Sequence, residues 1–129
     1  MSRKIVLTAM SSFALLLTAC QPFNPNEYLM RQRNNILLQG NSASYADGYT
    51  DGCATGRREA GDHHFIFQKN ATRAKNDTEY VEGWEQGHNF CRQEHLNQKE
   101  HDYREEKSAL LRQQTYELQR KALERLNKE

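Results

Sequence analysis

The 129-residue sequence is poor in proline and has no excess of charge of either sign. Its two prolines, Pro22 and Pro25, lie close together near the amino terminus. Its 18 basic and 17 acidic residues leave a formal net charge of +1. Proteins that bind nucleic acid, or a membrane through a polybasic patch, carry a basic excess that this composition lacks. We therefore expect no nucleic-acid partner and no polybasic membrane patch.

Motifs for catalysis are also missing from the sequence. It has no nucleophile elbow, no phosphate-binding glycine loop and no Ser-His-Asp pattern. A chain this short buries one small core, which leaves little wall for a deep cleft. We therefore expect a protein that is not an enzyme and that has no cofactor and no small-molecule substrate.

The one long apolar stretch covers residues 5–19 and follows Arg3 and Lys4. It is too short for a membrane-spanning helix and is typical of a secretory signal peptide. Its end, Leu17-Thr18-Ala19-Cys20, resembles the lipobox of bacterial lipoproteins. The resemblance implies that residues 1–19 are removed and that Cys20 is lipidated. The alternative is an ordinary signal peptide with a chance cysteine.

Glycine is scarce, yet most of it lies in a motif that occurs twice. Residues 45–59 and 80–94 align at a single offset, which indicates an internal duplication. The aligned pairs are Tyr45 with Tyr80, Gly48 with Gly83, Tyr49 with Trp84, and Gly52 with Gly87. The spacing i, i+3, i+4, i+7 places these four residues of each copy on one helical face.

Glycine inside a helix costs about 1 kcal/mol relative to alanine, so these glycines need a compensating contact. We expect two helices that cross at short distance, with rings of one copy filling the glycine notches of the other. In the alternative interpretation the glycines are turn residues of a loop-rich disulfide fold.

Cysteine is scarce too: beyond Cys20 only Cys53 and Cys91 remain, one in each copy. Disulfides persist outside the cytoplasm, so a bridge is the favoured prediction. The first alternative is zinc, bound by Cys53, His88, Cys91 and His95, of which the last three share a helical face. Two free thiols are the second alternative.

The paired pattern YxxGYxxGC and YxxGWxxGxxxC over residues 45–91 resembles small, poorly characterised lipoproteins of the bacterial envelope. This resemblance supports a domain held by a bridge between Cys53 and Cys91, and it implies no activity.

The flanking regions complete a mainly α architecture. Residues 20–25 form the lipidated tether, and residues 26–40 form a short amphipathic helix capped by Asn26 and stopped by Gly40. The duplicated core spans residues 41–95. Within it, Phe65-Ile66-Phe67 is expected as an extended lid on the aromatic cluster. Two acidic residues of the repeat, Asp47 and Glu82, are expected to pair with Arg57 or Arg92.

Residues 96–129 form the charged helical tail of a long helix that begins near Arg92, after which there is neither glycine nor proline. Its apolar line Leu96, Tyr103, Leu110 slips to Leu111 and Leu118, so a strict coiled coil is not predicted. A solvated or partner-contacting helix is the better interpretation.

These features together predict a lipoprotein anchored through Cys20. Gln21 replaces the Asp that commonly retains such proteins in the inner membrane, so we expect the outer membrane, with the domain facing the periplasm or the cell surface. The expected function is that of a scaffold or accessory subunit of an envelope assembly with protein partners. The alternative is a periplasmic zinc-binding or thiol-responsive protein.

Overall fold

A computed structural model describes residues 22–128, which contain four helices and no strand. The helices are α1 (Pro25–Leu38), α2 (Ala43–Glu59), α3 (Arg73–Asn76) and α4 (Thr78–Leu126). This confirms the mainly α prediction, with two duplicated helices followed by a long charged helix. The lipobox and Cys20 lie outside the described residues.

Each long helix begins at a side-chain cap. The Asn24 side chain accepts hydrogen bonds from the backbone N–H groups of Asn26 and Glu27, so α1 begins with Pro25, slightly earlier than predicted. Ser42 caps α2 and Asp77 caps α4 in the same manner. These side chains satisfy N–H groups that the first helical turn leaves without a partner.

Two glycines just beyond helix ends have left-handed backbone conformations. Gly40 follows α1 with φ +88°, and Gly61 follows α2 with φ +94°. Because such angles favour a residue without Cβ, both glycines suit these helix ends, and the predicted stop at Gly40 is confirmed.

The two copies of the repeat lie in α2 and α4, and these helices run parallel. Gly48, Gly52 and Gly56 along α2 face successively later turns of α4, at Tyr80, Trp84 and His88. Residues 60–77 return the chain to the start of α4. The first helix, α1, packs on α2 mainly through the buried residues Leu29 and Ile36.

The returning segment differs from the predicted lid. Phe65 is buried in the core, but Ile66 and Phe67 are exposed by 65% and 63%. A regular extended segment would place Phe65 and Phe67 on the same side, so the exposure of Phe67 shows that this segment does not cover the core as an extended lid. The short helix α3 in this segment was not predicted.

Helix α4 continues without a break across the predicted boundary between residues 95 and 96. The hydrogen bond to the body that lies farthest along α4, among the described residues, is one of 3.5 Å from Lys99 Nζ to the Ala60 carbonyl oxygen. We call residues 96–126 the tail. At 1.5 Å per residue the tail is about 45 Å long. Within residues 22–128, no helix combines the length and apolarity needed to cross a membrane.

Candidate functional site

The glycines of the repeat form a continuous line of close backbone contact between α2 and α4, which we call the glycine seam. The glycine seam consists of Gly48, Gly52, Gly56, Gly83 and Gly87.

The contact at the glycine seam is reciprocal. A Cβ on Gly48 would lie closer than 3.0 Å to the backbone of Tyr80, and one on Gly83 would meet the backbone of Tyr45 in the same way. The relation repeats one turn on, where Gly87 faces the backbone of Tyr49. The predicted close crossing is therefore confirmed. The predicted filling by rings is wrong, because main-chain atoms of the opposite helix occupy the notches.

The aromatic rings lie beside the glycine seam and fix the returning segment. Tyr80 is completely buried, donates a hydrogen bond of 2.6 Å to the Asp51 carboxylate and accepts one of 2.8 Å from the Asn70 backbone N–H. Burial, reinforced by the nearby Asp51, raises the pKa of Tyr80 to about 12. Trp84 Nε1 donates to the Gln68 carbonyl oxygen at 2.8 Å. These bonds hold the segment before α3 against the paired helices.

Cys53 and Cys91 form a disulfide, with their Cα atoms 5.0 Å apart and both residues completely buried. The zinc alternative required both sulfur atoms as thiolate ligands, and each is bonded to the other. The two histidines of that set have other partners: His88 Nε2 lies 2.7 Å from Glu59, and His95 Nδ1 lies 3.8 Å from Asp62. No metal-binding group of His, Cys, Asp and Glu occurs in residues 22–128.

A polar cluster that the sequence did not reveal lies at the carboxyl end of α2, where the tail begins. We call it the Arg57 cluster, and its members are Tyr28, Arg57, Asp62, Phe65 and Glu94.

In the Arg57 cluster, the guanidinium lies 4.8 Å from the centroid of the Tyr28 ring and 5.1 Å from that of Phe65. It donates to Asp62 at 3.1 Å and to Glu94 at 3.2 Å. The Tyr28 hydroxyl also donates to Glu94, at 2.9 Å. Burial, with the Glu94 charge added, raises the pKa of Tyr28. The Arg57 cluster thereby ties α1 and α2 to the base of the tail.

Asp62 connects the same region to two histidines. Its carboxylate accepts the His64 backbone N–H at 3.2 Å and lies 3.0 Å from the His64 ring nitrogen. His95 Nδ1 lies 3.8 Å from the same carboxylate. Burial alone raises the pKa of Asp62, but the hydrogen bonds from His64 and Arg57 outweigh it and lower the pKa below its ordinary value. The Phe23 ring packs edge-on against His64 at 5.4 Å. This contact places the amino-terminal segment beside the base of the tail.

The acidic residue Asp47 has different partners from those predicted. It accepts from Arg33 Nε at 2.7 Å and from Arg73 Nη1 at 3.1 Å. Burial alone raises the pKa of Asp47, but these two arginines outweigh it and lower the pKa. Arg57 instead binds Asp62 and Glu94, so the predicted pairing is wrong. Sequence alone did not show that α1 and α3 place arginines beside Asp47.

The tail exposes many apolar side chains along its length. Each of its leucines and tyrosines is exposed by 40% or more. They are Leu96, Tyr103, Leu110, Leu111, Tyr116, Leu118, Leu123 and Leu126. An exposed apolar surface of this kind commonly marks a binding site for a protein or a membrane.

Comparison of the chain with protein families, with characterised proteins and with solved structures gives no match.

Proposed function

We propose that this protein is an outer-membrane lipoprotein, anchored through Cys20, whose domain faces the periplasm or the cell surface. Its role is that of a non-catalytic accessory or scaffold subunit of a cell-envelope assembly of the secretion, pilus or motility type. The tail carries the proposal, because it extends about 45 Å and keeps its leucines exposed. Leucines that are exposed to water along a whole helix favour the binding of a protein or membrane surface that covers them.

The body supports a scaffold role because its polar groups are engaged in holding helices together. In residues 22–128 no buried side-chain nitrogen or oxygen lacks a hydrogen-bond partner. Arg57 and Asp62 bind each other, and Tyr80 is bonded to Asp51 and Asn70. A rigid body of this kind holds the tail in a fixed direction, as a docking subunit requires.

Metabolic labelling with palmitate tests the anchor. The full-length protein, expressed in a bacterium with lipoprotein processing, is expected to incorporate the label, and a Cys20→Ala variant is expected to lose it. Membrane fractionation should place the labelled protein in the outer membrane. Equal labelling of both proteins, or no labelling of either, would exclude lipidation at Cys20.

Photo-crosslinking in intact cells tests the docking role. A photoreactive amino acid at Tyr116, in the tail, is expected to give adducts that mass spectrometry identifies as components of one envelope assembly. The same amino acid at exposed Lys75, in α3, is the matched control and is expected to give none. Identical adducts from both positions, or none from the tail, would contradict the proposal.

A further inference from the structure

The exposed apolar residues of the tail are concentrated on one side. Successive helical residues are separated by roughly 100° around the axis, so the sequence positions assign each residue to a side of the helix. One arc of roughly 120° contains most of the leucines, and we call it the leucine face. Its apolar members are Leu96, Tyr103, Leu110, Leu111, Leu118 and Ala122.

Basic residues share the leucine face. Four of them lie in the same arc, namely Arg104, Lys107, Lys121 and Arg125, against a single acidic residue, Glu100, so the net charge there is +3. The rest of the helix surface, which we call the acidic face, carries the other five acidic residues of the tail and three basic residues, so its net charge is −2. The acidic residues are Asp102, Glu105, Glu106, Glu117 and Glu124, and the basic residues are Lys99, Arg112 and Arg120. The overall neutrality of the chain conceals this separation of charge.

The leucine face begins where the body ends. The same side of α4 within the body carries Glu82 and Glu85 and has no leucine before Leu96. It also lies opposite the side of α4 that packs on α2 through Gly83 and Gly87. The leucine face therefore points away from the body and is unoccupied along its length.

The amino-terminal segment leaves the body at the base of the tail. Phe23 packs against His64 and Phe65 and borders a shallow cavity together with His95 of α4. From Cys20 to Asn24 the chain spans at most about 18 Å, whereas the tail is about 45 Å long. A lipid anchor at Cys20 would hold the body within about 18 Å of the bilayer, so a tail of about 45 Å cannot point straight at the bilayer. A tail on the membrane side of the body therefore has to run along the bilayer.

We propose that the leucine face lies on the anionic phospholipid surface of the membrane that carries the lipid anchor. Helices that lie in a membrane interface bury an apolar stripe among the headgroups and hold lysine and arginine beside it. The placement of the tail rests on the proposed anchoring at Cys20, whereas the residues of the leucine face are independent of it. The acidic face, with Tyr116 and Leu123, then points away from the lipid and is free to bind protein partners.

The charge of the leucine face favours a membrane over a second copy of the chain. Two leucine faces packed together would bring a net charge of +3 against another of +3. Like charges of this kind disfavour association, whereas anionic headgroups neutralise them.

Vesicle flotation of a protein consisting of residues 21–129 tests the proposal without any acyl chain. All described helices lie within this span, so the shortened protein keeps every contact among them. The protein is expected to float with vesicles of phosphatidylethanolamine and phosphatidylglycerol, and much less with vesicles of phosphatidylcholine. The combined variant Leu110→Gln, Leu111→Gln, Leu118→Gln is expected to bind at least about tenfold more weakly.

The matched control substitutes the opposite side, with Ala109→Gln, Tyr116→Gln and Leu123→Gln, and is expected to bind within about twofold of the parent. Circular dichroism of both variants checks that the helix is retained. A second variant, Lys107→Glu with Lys121→Glu and Arg125→Glu, is expected to abolish the preference for anionic vesicles.

Two outcomes overturn the proposal. The first is that the parent protein does not float with anionic vesicles, or that both triple glutamine variants lose flotation equally. The other is a dimer in sedimentation without vesicles that is lost only in the leucine-face variant, which would identify a second copy as the occupant. The palmitate experiment tests the anchor separately. Labelling without vesicle binding would support the anchor at Cys20 and contradict membrane binding by the leucine face. Vesicle binding without labelling would support membrane binding by the leucine face and contradict the anchor.

Discussion

Single glycines determine how closely the two repeat helices approach. In an ordinary helix interior glycine lowers stability relative to alanine by about 1 kcal/mol. In the glycine seam the same residue removes the Cβ that would meet a main-chain carbonyl, and a carbonyl cannot move aside as a flexible side chain does. Whether a glycine-to-alanine substitution stabilises or destabilises the protein therefore depends on which atoms of the opposite helix lie beside that position.

We predict that Gly52→Ala and Gly87→Ala each destabilise the protein by about 1 to 3 kcal/mol, because the new methyl group overpacks against backbone. Urea unfolding followed by circular dichroism measures the change. Gln86→Ala, on the exposed side of α4 next to Gly87, is the matched control and is expected to stay within about 0.5 kcal/mol. Gains of stability at Gly52 or Gly87 would show that the helices are farther apart.

At the scale of elements, the disulfide and the Arg57 cluster join helices that the sequence separates. The Cys53–Cys91 bridge links α2 to α4 at a sequence separation of 38. The Arg57 cluster adds α1 and the returning segment near the same level. Because both links lie near the end of α2, they fix the direction in which the tail leaves the body.

We predict that Cys53→Ala combined with Cys91→Ala lowers the melting temperature by at least about 15 °C. The bridge is worth roughly 4 kcal/mol on the chain-entropy estimate for a loop of this length, and each kcal/mol corresponds to about 4 to 8 °C in a small domain. Differential scanning calorimetry measures the shift. Thiol titration of denatured wild-type protein without reductant should find no free thiol at either position, and two free thiols would contradict the bridge.

At the scale of the whole molecule, the end of the body opposite the Arg57 cluster is held by charge. Asp47 of α2 binds Arg33 of α1 and Arg73 of α3, and Arg73 also binds Asp77, the cap of α4, at 3.1 Å. All four helices meet in this network. Its carboxylates have lowered pKa values, so its contribution to stability depends on pH.

We predict that Asp47→Asn destabilises the protein at neutral pH and loses its effect in acid. The pKa of an Asp in the unfolded chain is about 3.9, and the pKa of Asp47 in the folded protein is lower. The contribution of the Asp47 carboxylate to the free energy of unfolding is therefore complete above the unfolded pKa and is lost as the pH falls through the folded pKa. Denaturant unfolding from neutral to acidic pH measures the difference between variant and wild type. Because the side chain is partly exposed, about 1 kcal/mol is expected at neutral pH. Exposed Glu85→Gln is the control, and a difference independent of pH would contradict the role of the carboxylate.

The sequence by itself determined the local features of the protein. Capping residues before the three long helices, Gly40 and Gly61 after α1 and α2, and the stretch without glycine or proline act over a few residues, so the long helices were predictable. The cap of α1 is Asn24 rather than the predicted Asn26, and the short helix α3, which has no side-chain cap, was not predicted. The duplication also predicted the close crossing, since glycine at every fourth position has few other uses inside a helix.

Only the tertiary structure decided what each side chain meets. Parallel α2 and α4 place backbone rather than rings in the glycine notches, and the return of the chain brings Asp62 to Arg57 and Arg73 to Asp47. These contacts join residues from different elements, whose relative positions depend on packing over the whole body rather than on local pattern. The continuity of α4 likewise separates the basic leucine face from the acidic face. The composition gives only the total charge, whereas one unbroken helix places each charged residue on a defined side of a single axis.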